Sequence, residues 1–361
     1  MRRFRIAVFW GLIFLVSAAS CLIPRGERSG FPAEAWGTGT FQQEAEEWLR
    51  EGFPFRQQLA EMRSGLELLQ GRREVNGVLI GKSRLLEKTP PLNSEGLAGQ
   101  AEALNRFARR YPKMEVSLML VPTASAFYQG DVSLYADTAN QSRYIQECAS
   151  FLHRVNMVDA YGVMSAASGD SLYYRTDPRW NSYGAYTGYT SLAKTLGFRA
   201  VSPEQFNIEY PVSDFLGSLY YRAAWGKQFA EPIALYSYAE YEPVVDVERC
   251  FLAKTETYRS IFFREELEGA DPLRVYLGED CPVVRIRTNR DNGKRLLVFS
   301  EGTADGMMQF LPLHYEEIAL VDFSQLGEKR WTDYLKPGDY AQALFVYQTV
   351  SFGEVDLAGM L

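Results

Sequence analysis

The sequence predicts an α/β fold: a parallel sheet flanked by helices and interrupted by a β-rich excursion. Three observations carry this. Residues 115–121 form a near-continuous apolar run closed by Pro122, the pattern of a strand buried on both faces. Helical and strand periodicities alternate on either side of that run, as parallel βαβ units require. Between about 198 and 277 the alternation stops, and Tyr, Val and Phe crowd between frequent turns.

The elements follow in order. Residues 42–49 are helical in pattern, and Gly52-Phe53-Pro54-Phe55-Arg56 breaks them. An apolar period near 3.6 then runs through Leu59, Met62, Leu66 and Leu69, giving a helix over 56–69. Asn76-Gly77 is a turn opening a short strand through Ile80, with a second turn at Gly81. Residues 97–111 and 141–154 read as helices, and 155–159 as a short strand. A further helix starts at Asn181 or Ser182, behind the Asp177-Pro178 turn. After the excursion come a strand at 295–299, a helical stretch from Asp305, and strands at 318–322 and 344–347. There are no internal repeats.

Composition narrows the function. With 361 residues, 47% hydrophobic and 23% charged, the chain builds an ordinary globular core. Its net charge of -7, without any Lys/Arg cluster, speaks against a nucleic-acid partner. No phosphate-binding glycine loop or metal-ligand spacing occurs, so neither cofactor nor metal is expected. Only two histidines are present, His153 and His314, so a Ser-His-Asp site must use one of them or dispense with histidine. Cys148, Cys250 and Cys281 make no disulfide framework. They read as buried thiols, with a Cys250–Cys281 bridge as the alternative.

The N-terminus reads as an export signal: Met1-Arg2-Arg3-Phe4-Arg5 is basic, 6–16 is apolar, and small residues lead to Cys21. Residues 1–23 are thus a signal peptide or membrane anchor, and 24–40, rich in Gly, Pro and Ser, a tether. Residues 41–361 form the body. Cleavage, lipidation at Cys21 and retention as an anchor all fit the leader, and each places the body outside the cytoplasm.

Ligands of open parallel sheets sit beyond the carboxyl ends of strands. Three segments leave strands there: Pro122 to Ser125, Asp159 to Gly162, and Ser300 to Asp305. The stretch Tyr173-Tyr174-Arg175-Thr176-Asp177-Pro178-Arg179-Trp180-Asn181 is the other polar concentration, feeding a helix N-terminus.

These blocks, in this order, resemble the DHHW family of exported bacterial proteins, which are similar to the alginate O-acetyltransferase group and have an SGNH-hydrolase-like fold. The resemblance rests on Phe53-Pro54-Phe55-Arg56, 76–82, 174–181 with Gly184-Ala185-Tyr186, 214–220, 294–310 with His314 to Ile318, and 340–352. It implies a triad in which a serine attacks an acyl carbonyl, the histidine of an Asp-x-His-Trp block takes its proton, and the aspartate orients the imidazole. Carried over, Asp177 and Trp180 keep their positions, Arg179 stands at the histidine and Gly302 at the serine, after Glu301. Arginine stays protonated and cannot act as a general base.

The expectation is therefore a membrane-tethered, catalytically inactive body with a binding or accessory role in cell-envelope or exopolysaccharide handling, its partner a polysaccharide or an envelope protein. Tyr174, Arg175, Trp180, Glu301 and Thr303 are its binding candidates. Arg179 either pairs with Asp177 or joins Arg175 in holding a ligand anion. An active O-acetyltransferase or acetylesterase would need a relocated nucleophile, with Ser300, Thr303 and Ser125 as choices. Asp177, Glu301 and Asp305 could make a carboxylate pair of the glycosidase kind. The run Tyr210, Tyr220, Tyr221, Trp225, Tyr236, Tyr238 and Tyr241 could line a glycan groove, with core packing as the plainer account. A structural envelope protein with an empty cleft is the third reading.

Overall fold

The computed structural model describes residues 10–11, 56–132 and 139–361. The export segment apart from Trp10 and Gly11, the tether, the 42–49 stretch and the Phe53-Pro54-Phe55 block lie outside the described residues. Among the described residues no helix is long and apolar enough to cross a membrane. The chain divides into two compact units, 1–72 and 73–361. In the first, α1 (Arg56–Leu69) forms where the apolar period placed a helix. Its periodic residues Leu59, Met62, Leu66 and Leu69 are exposed.

The second unit carries the sheet. It opens on β1 (Glu74–Val75), β2 (Val78–Ile80) and β3 (Leu85–Glu87), an antiparallel trio. Asn76 and Gly77 both have positive φ, 49° and 73°, the backbone that a two-residue hairpin loop demands. Then come α2 (Ser94–Arg110), β4 (Glu115–Val121), α3 (Gln141–Phe151), β5 (Val155–Met157), α4 (Ala160–Ala167) and α5 (Ser182–Leu196). Each of these helices starts on an Asn or Asp whose side chain accepts an amide three residues on: Asn93, Asn140, Asp159 and Asn181.

The excursion yields a separate hairpin, β6 (Phe206–Phe215) with β7 (Glu231–Tyr238), and then β8 (Val244–Cys250) and β9 (Thr255–Tyr258). The chain continues through β10 (Val283–Thr288), β11 (Arg295–Ser300), β12 (Glu317–Val321) and β13 (Gln342–Gln348). The central sheet has eight strands in the order β5-β4-β13-β11-β12-β10-β8-β9. The first five run parallel, whereas β10, β8 and β9 add antiparallel. The expected parallel sheet is present, and antiparallel strands, two of them from the β-rich excursion, extend it. The short connection between β8 and β9 allows antiparallel return, where parallel pairing would need a long crossover. The helical stretch expected from Asp305 is two 3₁₀ turns, Asp305–Gln309 and Leu311–Leu313. Pro312 offers no N–H to an α-helix there.

Strand alternation sorts the core into two layers. Met119, Leu296, Val298, Ile318, Leu344 and Val346 pack on the α5 side. Leu118, Leu120, Leu297, Phe299, Ala319 and Phe345 pack with the α2 residues Leu104 and Phe107. Both faces are covered, so these strands read as continuous apolar runs. Cys148, Cys250 and Cys281 are buried and free, so the alternative of a Cys250–Cys281 bridge is not realised.

Two glycines on one face of α5 let Trp180 lie against the helix. A Cβ at Gly188 would stand 2.8 Å from the Trp180 ring, and one at Gly184 would stand 2.0 Å from the Leu172 carbonyl oxygen. The second clash is with backbone and cannot be relieved by a rotamer change. Gly99, exposed within α2, has nothing within 4 Å of a Cβ. Gly184→Ala is therefore expected to lower unfolding stability by about 1–3 kcal/mol, and Gly99→Ala to raise it by about 0.5–1 kcal/mol, both read from urea midpoints. Equal effects from the two substitutions would refute this packing.

Candidate functional site

A cavity of about 390 Å³ lies beyond the carboxyl ends of β4, β11 and β13, reached by Val121, Glu301 and Gln348. Its other walls include Tyr173, Arg179, Trp180, Asp271, Gly302 and Thr303. Of the three strand-leaving segments, the one from Ser300 to Asp305 forms the floor. The turn is made by its own residues: Ser300 Oγ accepts from the Ala304 amide at 3.0 Å, and the Asp305 amide donates to Gly302 O at 3.1 Å. Gly302 has φ +85°, and a Cβ there would meet only Asp305 Oδ2, at 3.7 Å. A serine has room at this position, but the backbone favours glycine by about 1–3 kcal/mol. The Gly302 and Thr303 amides face no hydrogen-bond acceptor among the described residues.

Arg179 is locked between two carboxylates. Its Nε donates to Asp177 Oδ1 at 2.7 Å and its Nη2 to Asp177 Oδ2 at 3.1 Å. On the other edge, Nη1 and Nη2 donate to Asp271 Oδ2 and Oδ1 at 2.8 and 2.9 Å. Burial works against the Arg179 charge, but these bonds outweigh it and raise the guanidinium pKa. At Asp271 burial is likewise outweighed, and Arg179 holds its carboxyl below the usual range. Asp177 is 1% exposed. It also accepts the amides of Arg179 and Ser218, at 3.1 and 2.9 Å.

The two floor carboxyls behave in the opposite way. Asp305 is pushed well above the normal carboxyl range by desolvation and then by the charges of Asp280 and Asp322. Glu301 is raised by desolvation, although Ser351 Oγ donates to it.

The expected site residues divide. Arg179, Trp180, Glu301, Gly302, Thr303 and Asp305 line one pocket, with Asp177 directly behind Arg179. Tyr174 and Arg175 do not join them. Tyr173 pairs with Trp180 in an isolated antiparallel bridge across the intervening bend, and Tyr174 beside it points the other way. Tyr173 faces the pocket, and Tyr174 packs on Phe215, Ile233 and Leu235. Arg175 lies outside, its amide bonded to Glu231. An Arg175–Arg179 anion clamp is therefore excluded.

Ser125 sits in a buried polar cluster with Thr89, Thr123 and Gln141, away from the pocket. Ser300 caps the floor turn. His314 bonds Tyr189 OH at 2.7 Å, stacks on Phe198, and is held by burial at a pKa of about 4. Neither it nor exposed His153 lines the cavity. The tyrosine run does not converge: Tyr220 and Tyr236 are buried, Tyr210 and Tyr221 are exposed, and none lines the cavity.

Asp271, Arg274, Tyr276 and Asp280 were missed by the sequence reading. A signal for the first existed, because Asp177-Pro178 and Asp271-Pro272 are the chain's two Asp-Pro steps.

Solved structures with this fold include a DHHW family protein from Eubacterium siraeum, with TM-score 0.68 and 21% identity over 80% of this chain and 95% of that one. PatB1 of Bacillus cereus, solved with a sulfonyl adduct, has TM-score 0.66 and 16% identity over 78% and 98%. The O-acetyltransferase domain of Pseudomonas putida AlgJ has TM-score 0.45 and 14% identity over 78% and 95%. The likeness is one of fold, the SGNH-hydrolase-like arrangement. No curated protein sequence matches the chain. A model of the DHHW protein family matches residues 103–321, more than half of the chain. That span holds Asp177, Arg179 and Gly302, and the chain belongs to the DHHW family.

Proposed function

We propose that this protein is an extracytoplasmic, membrane-tethered member of the family whose acyl-transfer chemistry is lost and whose pocket serves binding or an accessory role in cell-envelope or exopolysaccharide handling. The observation that carries the reading is the Asp177–Arg179–Asp271 clamp. Where a proton acceptor should stand, a guanidinium is fixed on both edges by carboxylates. Gly302 supplies no nucleophile, Ser300 is tied into its turn, and neither histidine is near. The basic-apolar leader supports export and tethering. The unpartnered Gly302 and Thr303 amides support retention of a carbonyl- or hydroxyl-binding floor. Even a full oxyanion site without its triad leaves only about 10³–10⁴-fold over water.

A second reading, an active O-acetyltransferase or acetylesterase, rests on Thr303, which lines the pocket and whose side chain makes no hydrogen bond among the described residues. Acetate release from 4-nitrophenyl acetate and from acetylated xylan separates the two. The full chain is expected to give no turnover above a heat-treated control. Turnover abolished by Thr303→Ala or Asp177→Ala would establish the second reading.

Arg179→Ala leaves the Asp177 carboxylate buried without its cation, and is expected to cost about 3–5 kcal/mol in urea unfolding at pH 7. Asp271, about a third exposed, tolerates loss better, and Asp271→Ala is expected to cost about 1 kcal/mol or less. The reverse order would show that Asp177 does not depend on the clamp.

The floor has its own pH signature. Because the folded pKa of Asp305 is raised, its stabilising contribution is full below the unfolded pKa of about 3.9 and is lost as pH rises through the folded value. Asp305→Asn is expected to be near neutral at pH 3.5 and stabilising at pH 8, measured by thermal melts. A destabilised variant at pH 8 would contradict the desolvated carboxyl.

A further inference from the structure

Carboxyl groups outnumber cations in the pocket. Four line it, Asp271, Asp280, Glu301 and Asp305, against two cations, Arg179 and Arg274. Both cations are already engaged. Arg179 is held on two edges by Asp177 and Asp271, and Arg274 approaches Asp280 at 3.6 Å. Glu301 and Asp305 are left without a cation. Asp322 adds a further carboxylate in the small adjoining cavity that Gly302 and Asp305 also line.

Asp305 is the central group. The residue is half-buried, its carboxyl deeply enclosed, and nothing among the described residues donates a hydrogen bond to it. Its Oδ2 lies 3.7 Å from where a Cβ on residue 302 would stand. A carboxyl oxygen therefore borders the space into which a serine at 302 would project. Desolvation and the neighbouring Asp280 and Asp322 favour its protonated form, and an entering cation is the partner that would let it ionise.

We infer that the pocket takes a glycan bearing a protonated amine, a cationic amino sugar, at Asp305 and Glu301, and rejects anionic uronate chains. This rests on the reading that the pocket binds a glycan rather than turning one over. An ammonium supplies the missing charge through N⁺–H···O⁻ bonds, which are stronger than neutral ones. The aromatic faces of Trp180, Tyr173 and Tyr276 offer apolar surface to a sugar ring. A uronate carboxylate would meet surplus like charge, and the arginines that could have held it are taken.

The test is calorimetric titration of the full chain at pH 7 with three trimers: glucosamine, N-acetylglucosamine and galacturonate. The glucosamine trimer is expected to bind at least tenfold tighter than its N-acetylated counterpart, with affinity falling as salt rises from 20 to 300 mM. The galacturonate trimer is expected to show no heat of binding. Asp305→Asn should weaken glucosamine binding about tenfold while leaving N-acetylglucosamine within twofold. Glu328→Gln, an exposed control away from the cavity, should change neither. A thermal melt confirms that Asp305→Asn is folded. Equal affinity for the amine and its acetylated form, or tighter uronate binding, overturns the charge inference and leaves glycan binding standing. If none of the trimers binds, the inference also falls. The underlying reading falls separately, through the ester-turnover assay.

Discussion

The second unit's architecture around the pocket depends on one buried carboxylate. Asp177 takes the amides of Arg179 and Ser218 and two guanidinium donors. Its Cβ lies so close to Gly217 that a Cβ there would stand at 2.3 Å. It therefore joins the turn before α5 to the loop after β6. Through Arg179 it also reaches Asp271, which lies 92 residues beyond that arginine. A carboxylate this deep is tolerated because its lone pairs are satisfied. Such a pair adds little net stability over an apolar substitute, but it is costly to break from one side. This asymmetry makes Asp177 indispensable where it stands whether or not it takes part in chemistry.

The pocket follows from how that node meets the sheet. Parallel β4, β11 and β13 end together, and their carboxyl ends provide Val121, Glu301 and Gln348. Trp180 is pressed on the glycine face of α5, which sets the depth of one wall. The outer wall, Asp271 to Asp280, belongs to the stretch between β9 and β10 and is held in place by the Arg179 clamp. Because β10, β8 and β9 extend the central sheet, that wall is carried on a continuous frame.

Much of this was legible beforehand. The buried strands declared themselves by apolar runs, the Asn76-Gly77 hairpin by its turn chemistry, and α5 by its Asn181 cap behind Asp177-Pro178. These are local signals. What could not be read were facts that depend on pairing at a distance. Whether β8 and β9 formed an appendage or a sheet edge depends on the register of β8 with β10. Arg179 had a plausible partner two residues away, and its second partner lay far along the chain. The opposite fates of Tyr173 and Tyr174 follow from side-chain alternation, but only once Tyr173 is known to pair with Trp180 across the intervening bend.

If Arg179 stands at the family's histidine position, as proposed, the titrating group of the site has moved. In a Ser-His-Asp arrangement the imidazole changes charge near neutral pH and governs the chemistry. Here the corresponding side chain stays charged throughout, and its two carboxylate neighbours stabilise that charge. The groups displaced from their normal range are now Asp305 and Glu301, raised by desolvation on the floor of the pocket. A fixed cation that is internally neutralised cannot recruit an anion, and a desolvated carboxyl gains most from a cationic donor. The pocket therefore has raised carboxyls on its floor beneath a sealed guanidinium, and on the proposed reading recognition by charge takes the place of activation of a hydroxyl.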